Sequence, residues 1–147
     1  VKKFVVGFAF TEDMDEVVLV RKNRPEWQAG KLNGVGGKVE EGESFSSAIG
    51  REFEEETGVP RENQHWALIA TIGDEKYKMY IFAGKGDWAL DATTTTDENI
   101  ARYNVENFIR ENIGPSPTAI FNIPWLLLMA RQMLMGRDKA PYYSIEH

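Results

Sequence analysis

From Gly37 to Val59 the chain reads GKVEEGESFSSAIGREFEEETGV, a run that opens in a glycine turn and closes on Gly58. Residues 45–57 carry the marks of one helix. Ser44 suits the N-cap, Gly58 suits a left-handed C-terminal cap, and Pro60 just beyond cannot continue the helix. Phe45, Ile49 and Phe53 recur at i+4 spacing and predict an apolar stripe that buries one side. Glu52, Glu55 and Glu56 fall on the neighbouring face, because a helix turns about 100° per residue. Like charges so spaced cost a few tenths of a kcal/mol per pair, so a chain that keeps three of them has a use for a cation there. Hard oxygen donors suit magnesium, with manganese as the alternative. A solvated helix face is the competing reading, since glutamate is a good helix former. Gly50 inside the helix costs up to about 1 kcal/mol against alanine and predicts a close approach by another segment.

Charge patterning gives this helix a setting. Net charge is −6, which disfavours a general nucleic-acid binder. The charge is uneven, however. From Arg21 to Lys38 the cations Arg21, Lys22, Arg24, Lys31 and Lys38 face only Glu26, whereas from Val39 to Glu62 a crowd of glutamates faces only Arg51 and Arg61. A basic loop feeding an acidic helix is what a site for a metal-chelated polyphosphate requires, although alternating solvated surface has the same pattern. There is no cysteine, which excludes disulfides, zinc–thiolate sites and thiol nucleophiles and fits a reducing cytoplasm. No signal peptide is expected, and the apolar run 123–135 is short for a membrane span and contains Arg131. A cytoplasmic protein with no membrane partner is the expectation.

Around the helix, 4–10 and 16–22 are rich in β-branched and aromatic residues and predict a hairpin across the acidic turn 11–15. Residues 23–33, with Pro25 and Gly30, predict a loop, and 32–39 a short extended piece among Asn33, Gly34, Gly36 and Gly37. A second antiparallel pair is expected at 65–73 and 77–83. The polar stretch 84–99 predicts a mobile loop with Thr93 to Thr96 at its tip. A weak strand at 102–105 and a short helix at 106–111 follow, then breaks at Pro115 and Pro117. Pro124 opens a helix from Trp125 to about Met135, ended by Gly136. The tail 137–147 gives no pattern. With no internal repeat and no linker, the 147 residues predict one domain of α+β class, helices packed on both faces of a mixed sheet.

Gly37, five residues, Glu43, seven residues, then Arg51-Glu52-Phe53-Glu54-Glu55-Glu56-Thr57-Gly58-Val59 resembles the Nudix box, G-x5-E-x7-R-E-U-x-E-E-x-G-U, where U is bulky and apolar. Every fixed position matches. Seven specified residues at about 7% usage each coincide by chance about once in 10^8 placements, which makes the signal strong. The flanking hairpin, sheet and C-terminal helix are similar to the family's α/β/α sandwich. The resemblance implies hydrolysis of a nucleoside diphosphate linked to some moiety X, by water attack at phosphorus with a divalent metal. Charge gathering on phosphoryl oxygens independently calls for such a metal. It further implies Glu52 and Glu56 as metal ligands, Glu55 as a ligand directly or through water, and the Gly37 carbonyl as another. Glu52 or Glu55 would take the proton of the attacking water. Glu43 and Arg51 would form an ion pair steadying the loop and helix. Glu98, beside Asp97, stands about where some relatives carry a further metal ligand or base; a plain loop carboxylate is the alternative. Family members are often dimers.

For substrate, LNGVGGKVEEGE resembles relatives that cleave oxidised purine nucleoside triphosphates. That likeness makes Asn33 a base-recognition candidate, against a turn residue before Gly34. The cations Arg24 and Lys38 are the candidates for holding substrate. Leu32 stands where that subgroup often has tryptophan, and no Trp-Pro-Asp-Asp-like element occurs late in the chain. Trp27, Phe121 and Trp125 are either core packing or base-stacking platforms. Tyr77 lies near where dinucleoside polyphosphate hydrolases tend to carry a tyrosine. The leading expectation is a nucleoside triphosphate pyrophosphohydrolase releasing monophosphate and pyrophosphate. Its rivals are a dinucleotide or nucleotide-sugar hydrolase and a nucleotide sensor without turnover.

Overall fold

The computed structural model describes residues 1–113, 122–135 and 143–146, the last four as backbone. The expected hairpin forms from β1 (Lys2–Phe10) and β2 (Glu16–Arg21), antiparallel with Ala9 opposite Val18. Two short strands follow, β3 (Leu32–Asn33) and β4 (Val35–Lys38), then helix α1 (Phe45–Thr57). Next come β5 (Ala67–Gly73), β6 (Tyr77–Lys85) and β7 (Ile100–Asn104), then α2 (Val105–Asn112), α3 (Ile123–Leu134) and β8 (Tyr143–Glu146).

Among the described residues the strands make one mixed sheet in the order β3-β2-β1-β6-β5-β8, with β4 also on β1 and β7 also on β2. β1 is its axis. It runs parallel to β6 along its whole length, and its other edge is shared between β4 at the start and β2 at the end. That division splays β4 away from β2 and opens the sheet at Asn33–Lys38, beside α1.

Alternation along β1 sends Val6, Phe8 and Phe10 into a core with α2 and α3, while Val5 and Ala9 pack toward α1. The sheet is therefore covered on both faces, as the α+β expectation required. α1 has the predicted bounds. Ser44 accepts a hydrogen bond from the Ser47 N–H at 3.1 Å, and Gly58 closes the helix at φ 78°. Ile49 and Phe53 are fully buried, and Phe45 stacks on Tyr80 at 3.9 Å.

Three expectations change. Gly50 is not a point of close approach: a Cβ there would meet Arg61 at an ordinary 3.8 Å, and nothing in the structure explains the glycine. The stretch 84–99 is anchored along its length. A 3-10 turn at Asp87–Asp91 buries Trp88 against Phe53 and Trp66, and Thr93 and Thr95 bond to the end of α1. The unpatterned tail contributes β8, parallel to β5. Pro115, Pro117, Phe121 and Gly136 lie outside the described residues. Among those described, no helix is long and apolar enough to cross a membrane.

Candidate functional site

β4 and α1 meet at Gly37. A Cβ on that residue would overlap the Glu52 carboxylate, so any other residue there would make the Glu52 side chain shift. Arg51, one residue earlier on α1, gathers the neighbouring carboxylates. Its Nε and Nη2 donate to both oxygens of Glu43 at 2.8 and 2.9 Å, a bidentate pair. Its Nη1 donates to Glu52 at 3.0 Å and to Glu55 at 3.3 Å, and Nη2 also reaches the Lys38 carbonyl at 3.1 Å. One guanidinium thus ties the loop, β4 and the carboxylate face of α1 together. The Arg51 hydrogen bonds hold Glu43 down to about 2, and the same contacts push Arg51 above its ordinary value.

Glu52 and Glu56 are different. Burial pushes the Glu52 carboxyl up, against the pull of Arg51. Burial also pushes Glu56 up to about 7; Lys22 opposes that rise, and the charges of Glu52, Glu98 and Glu55 add to it. Glu56 Oε2 is buried with no hydrogen-bond partner. A buried polar atom left so is uncommon and marks a place where an ion or water belongs. The donors around it are all oxygen, as a hard divalent cation requires. Glu52 and Glu55 are turned onto Arg51, and as the side chains stand no three acids among the described residues close into a ligand set. In donor chemistry, and in the orphaned oxygen, the residues fit a divalent metal.

Glu98 is 6% exposed and fully engaged. Its Oε1 accepts from Lys22 Nζ at 3.0 Å, and its Oε2 from the Asn23 and Arg24 N–H groups at 2.6 and 3.4 Å. Burial works to raise its pKa, but these donors together hold it below the ordinary carboxylate value. Arg24 turns to Asp97 as an exposed bidentate pair at 2.9 and 3.2 Å. Asn33 lies in β3 and not in a left-handed turn; its Oδ1 accepts the N–H of Gly34 at 2.7 Å, and its Nδ2 reaches Gln28 at 3.5 Å.

Two adjoining cavities, of about 530 and 450 Å³, lie along the sheet at β1 and β6. They share Val6, Trp27, Gln28, Asn33, Tyr77 and Met79. Trp125 on α3 lines the far end of the first, and Lys22, Gly36, Gly37 and Lys38 line the near end of the second. Trp27 and Trp125 are 64% and 59% exposed, so neither is core. The structure therefore brings Gly37, Glu43, Arg51, Glu52 and Glu55 into one contact network, with Glu56 on the same helix within reach of the Glu52 and Glu55 charges. It puts Glu98 on the loop facing Glu56, Asn33 and Lys38 on the cleft, and Arg24 outside it on Asp97. Lys22 is the residue that sequence reasoning passed over. Its membership of the basic run was the available signal, but its partner lies 76 positions away.

The NUDIX domain model matches residues 2–112. A MutT protein from Methanosarcina mazei shares 21% identity over 89% of this chain and 93% of its own, with a TM-score of 0.66. A MutT structure from work on Aliivibrio salmonicida and Vibrio cholerae shares 21% over 89% and 98%, with a TM-score of 0.64. A protein of Deinococcus radiodurans shares 18% over 88% and 82%, with a TM-score of 0.66. At these identities the likeness is one of fold. No curated protein matches the chain.

Proposed function

The chain belongs to the NUDIX domain family of hydrolases, and on that premise we propose that it is a magnesium-dependent nucleoside triphosphate pyrophosphohydrolase. Nudix hydrolases cleave phosphoanhydride bonds of small nucleotides with divalent metal. The observation that carries the finer reading is the cleft. It leads from two exposed tryptophans, past Asn33, to Gly37, which lies against the Glu52 carboxylate of α1. A base resting on indole at one end sets its polyphosphate among Lys22, Lys38 and the carboxylates at the other.

Glu52 and Glu56 would hold the metal, with Glu55 and the Gly37 carbonyl beside them. When bound, magnesium neutralises charge on the phosphoryl oxygens and acidifies water. Glu52 or Glu55 accepts the proton from the water that attacks phosphorus, and the phosphoanhydride bond opposite breaks to give monophosphate and pyrophosphate. Arg51 holds the Glu52 and Glu55 carboxylates side by side, and Glu43 keeps Arg51 in place. We read the whole chain as one such domain, with α3 supplying the far wall of the cleft.

A panel of ordinary and oxidised nucleoside triphosphates, dinucleoside polyphosphates and nucleotide sugars, with magnesium and products resolved, tests this. Release of monophosphate and pyrophosphate from a triphosphate is expected. A preference for dinucleotides or sugars would move the substrate class, and no turnover on any of them would leave a sensor. Trp27→Ala and Trp125→Ala should each raise KM about tenfold, as base–aromatic stacking is worth about 1–3 kcal/mol.

A further inference from the structure

Residues 97–99 grip residues 21–24 along their length. The Asn99 carbonyl accepts from the Arg21 N–H at 2.9 Å, and the Asp97 carbonyl from Asn23 Nδ2 at 2.7 Å. The Asp97 carboxylate takes Arg24, and the Glu98 carboxylate takes Lys22 Nζ and two backbone N–H groups. The gripping segment is itself pinned to α1 at the carboxylate end. Thr95 Oγ1 donates to the Glu55 carbonyl at 2.6 Å, and the Thr93 N–H donates to the Thr57 carbonyl at 3.0 Å. A chain of short bonds thus runs from the helix that carries Glu55 and Glu56 through Glu98 to Lys22. Lys22 ends on the cavity lined by Gly36, Gly37 and Lys38.

We propose that Glu98 is a positioning residue for substrate rather than a metal ligand. It fixes the Lys22–Arg24 backbone and aims the Lys22 ammonium at the place where the phosphates lie. The carboxylate has no idle oxygen: one is bound to the ammonium, the other to two N–H groups. To hold a metal it would have to abandon a partly buried cation and two partly buried donors, which would then lose their partner. Glu56, with an orphaned oxygen, needs no such exchange. Lys22 is the only cation hydrogen-bonded to Glu98 among the described residues, and it is only slightly exposed. Its ammonium is thus held where desolvation strengthens attraction to a polyphosphate. The proposal rests on the hydrolase reading above and adds the route by which the loop after β2 serves it.

The experiment uses the full chain and the variants Glu98→Gln, Lys22→Met and the double variant. Glu98→Gln keeps an acceptor for the Asn23 N–H but loses the ion pair, which protects the fold. Steady-state kinetics should show KM raised about tenfold by either single change, with kcat within about threefold, since either change removes the charge-assisted pair that aims the ammonium. The double variant should be no worse than either single one, because the two residues act through each other. Manganese affinity of the nucleotide-free protein, by calorimetric titration, should stay within about threefold of the parent. Hydrogen exchange at Asn23 and Arg24 should speed up in Glu98→Gln. A tenfold or greater loss of manganese affinity with the exchange unchanged would make Glu98 a ligand and overturn the proposal. So would a fall in kcat with KM unmoved, or KM effects that multiply in the double variant. An inactive parent chain would instead strike at the hydrolase reading itself.

Discussion

Glu56 and Glu98 lie close enough for their charges to interact, and both are largely withdrawn from water, yet they behave in opposite ways. Burial pushes Glu56 up to about 7, whereas Glu98 is held below the ordinary range in spite of burial. The difference lies in donors. Glu98 accepts from an ammonium and two N–H groups, and Glu56 leaves one oxygen with none. Burial alone therefore does not say what a carboxylate is for. A satisfied one is part of the framework, and an unsatisfied one is waiting for something positive.

The sharpest way to break that contrast is to neutralise each acid in turn. Glu56→Gln should lower kcat on the order of 10^3-fold or more, as expected for a group that holds the metal, while leaving the fold intact. A variant within tenfold of the parent would remove Glu56 from the metal assignment. Stability should rank the two in reverse. Glu98→Ala strands Lys22 and two N–H groups and should cost about 3 kcal/mol by urea unfolding, whereas Glu56→Gln should cost little or stabilise the metal-free protein. Equal losses would mean that the two acids are not different in kind.

The pH dependence follows the same division. Glu56 has a folded pKa near 7 against an ordinary 4.5, so the folded state holds its proton more tightly. The metal-free protein should lose stability as pH rises from about 4.5, levelling off above about 7, and Glu56→Gln should flatten that slope. Melting temperatures between pH 4 and 8, with chelator present, read this directly. Glu43 has the opposite sign. Its folded pKa near 2 lies below 4.5, so its contribution is complete above pH 4.5 and is lost as pH falls toward 2. Glu43→Gln should therefore weaken the protein at neutral pH and narrow the gap to the parent in acid. A gap that stays constant down to pH 2 would show that the Arg51 pair is not the cause.

What could be read from the sequence was the local part. Ser44, the i+4 apolar stripe and Gly58 are contiguous signals, and α1 came out with its expected ends. The Glu43–Arg51 ion pair that the box implies is also present, because the helix and its leading loop carry their own spacing. Readings failed where meaning depends on distant partners. The stretch 84–99 is polar in composition, but Trp88 packs on Phe53, and its threonines bond to carbonyls at the end of α1, contacts that polarity cannot forecast. Trp27 and Trp125 are apolar enough for a core, but both stand exposed on the wall of a cleft. Lys22 looked like one cation in a basic run. Its role depends on Glu98, which the fold brings back beside β2 only through the β2–β7 pairing.

The central claim is that the α1 glutamates, through Glu56, form the metal platform. The most direct measurement is the melting temperature of the parent and of Glu56→Gln with and without magnesium, no nucleotide present. Binding only to the folded state raises stability by RT ln(1 + [L]/Kd), about 2.7 kcal/mol at a hundred times Kd. The parent should rise by several degrees and Glu56→Gln should not move. A variant that rises as far as the parent would contradict the account.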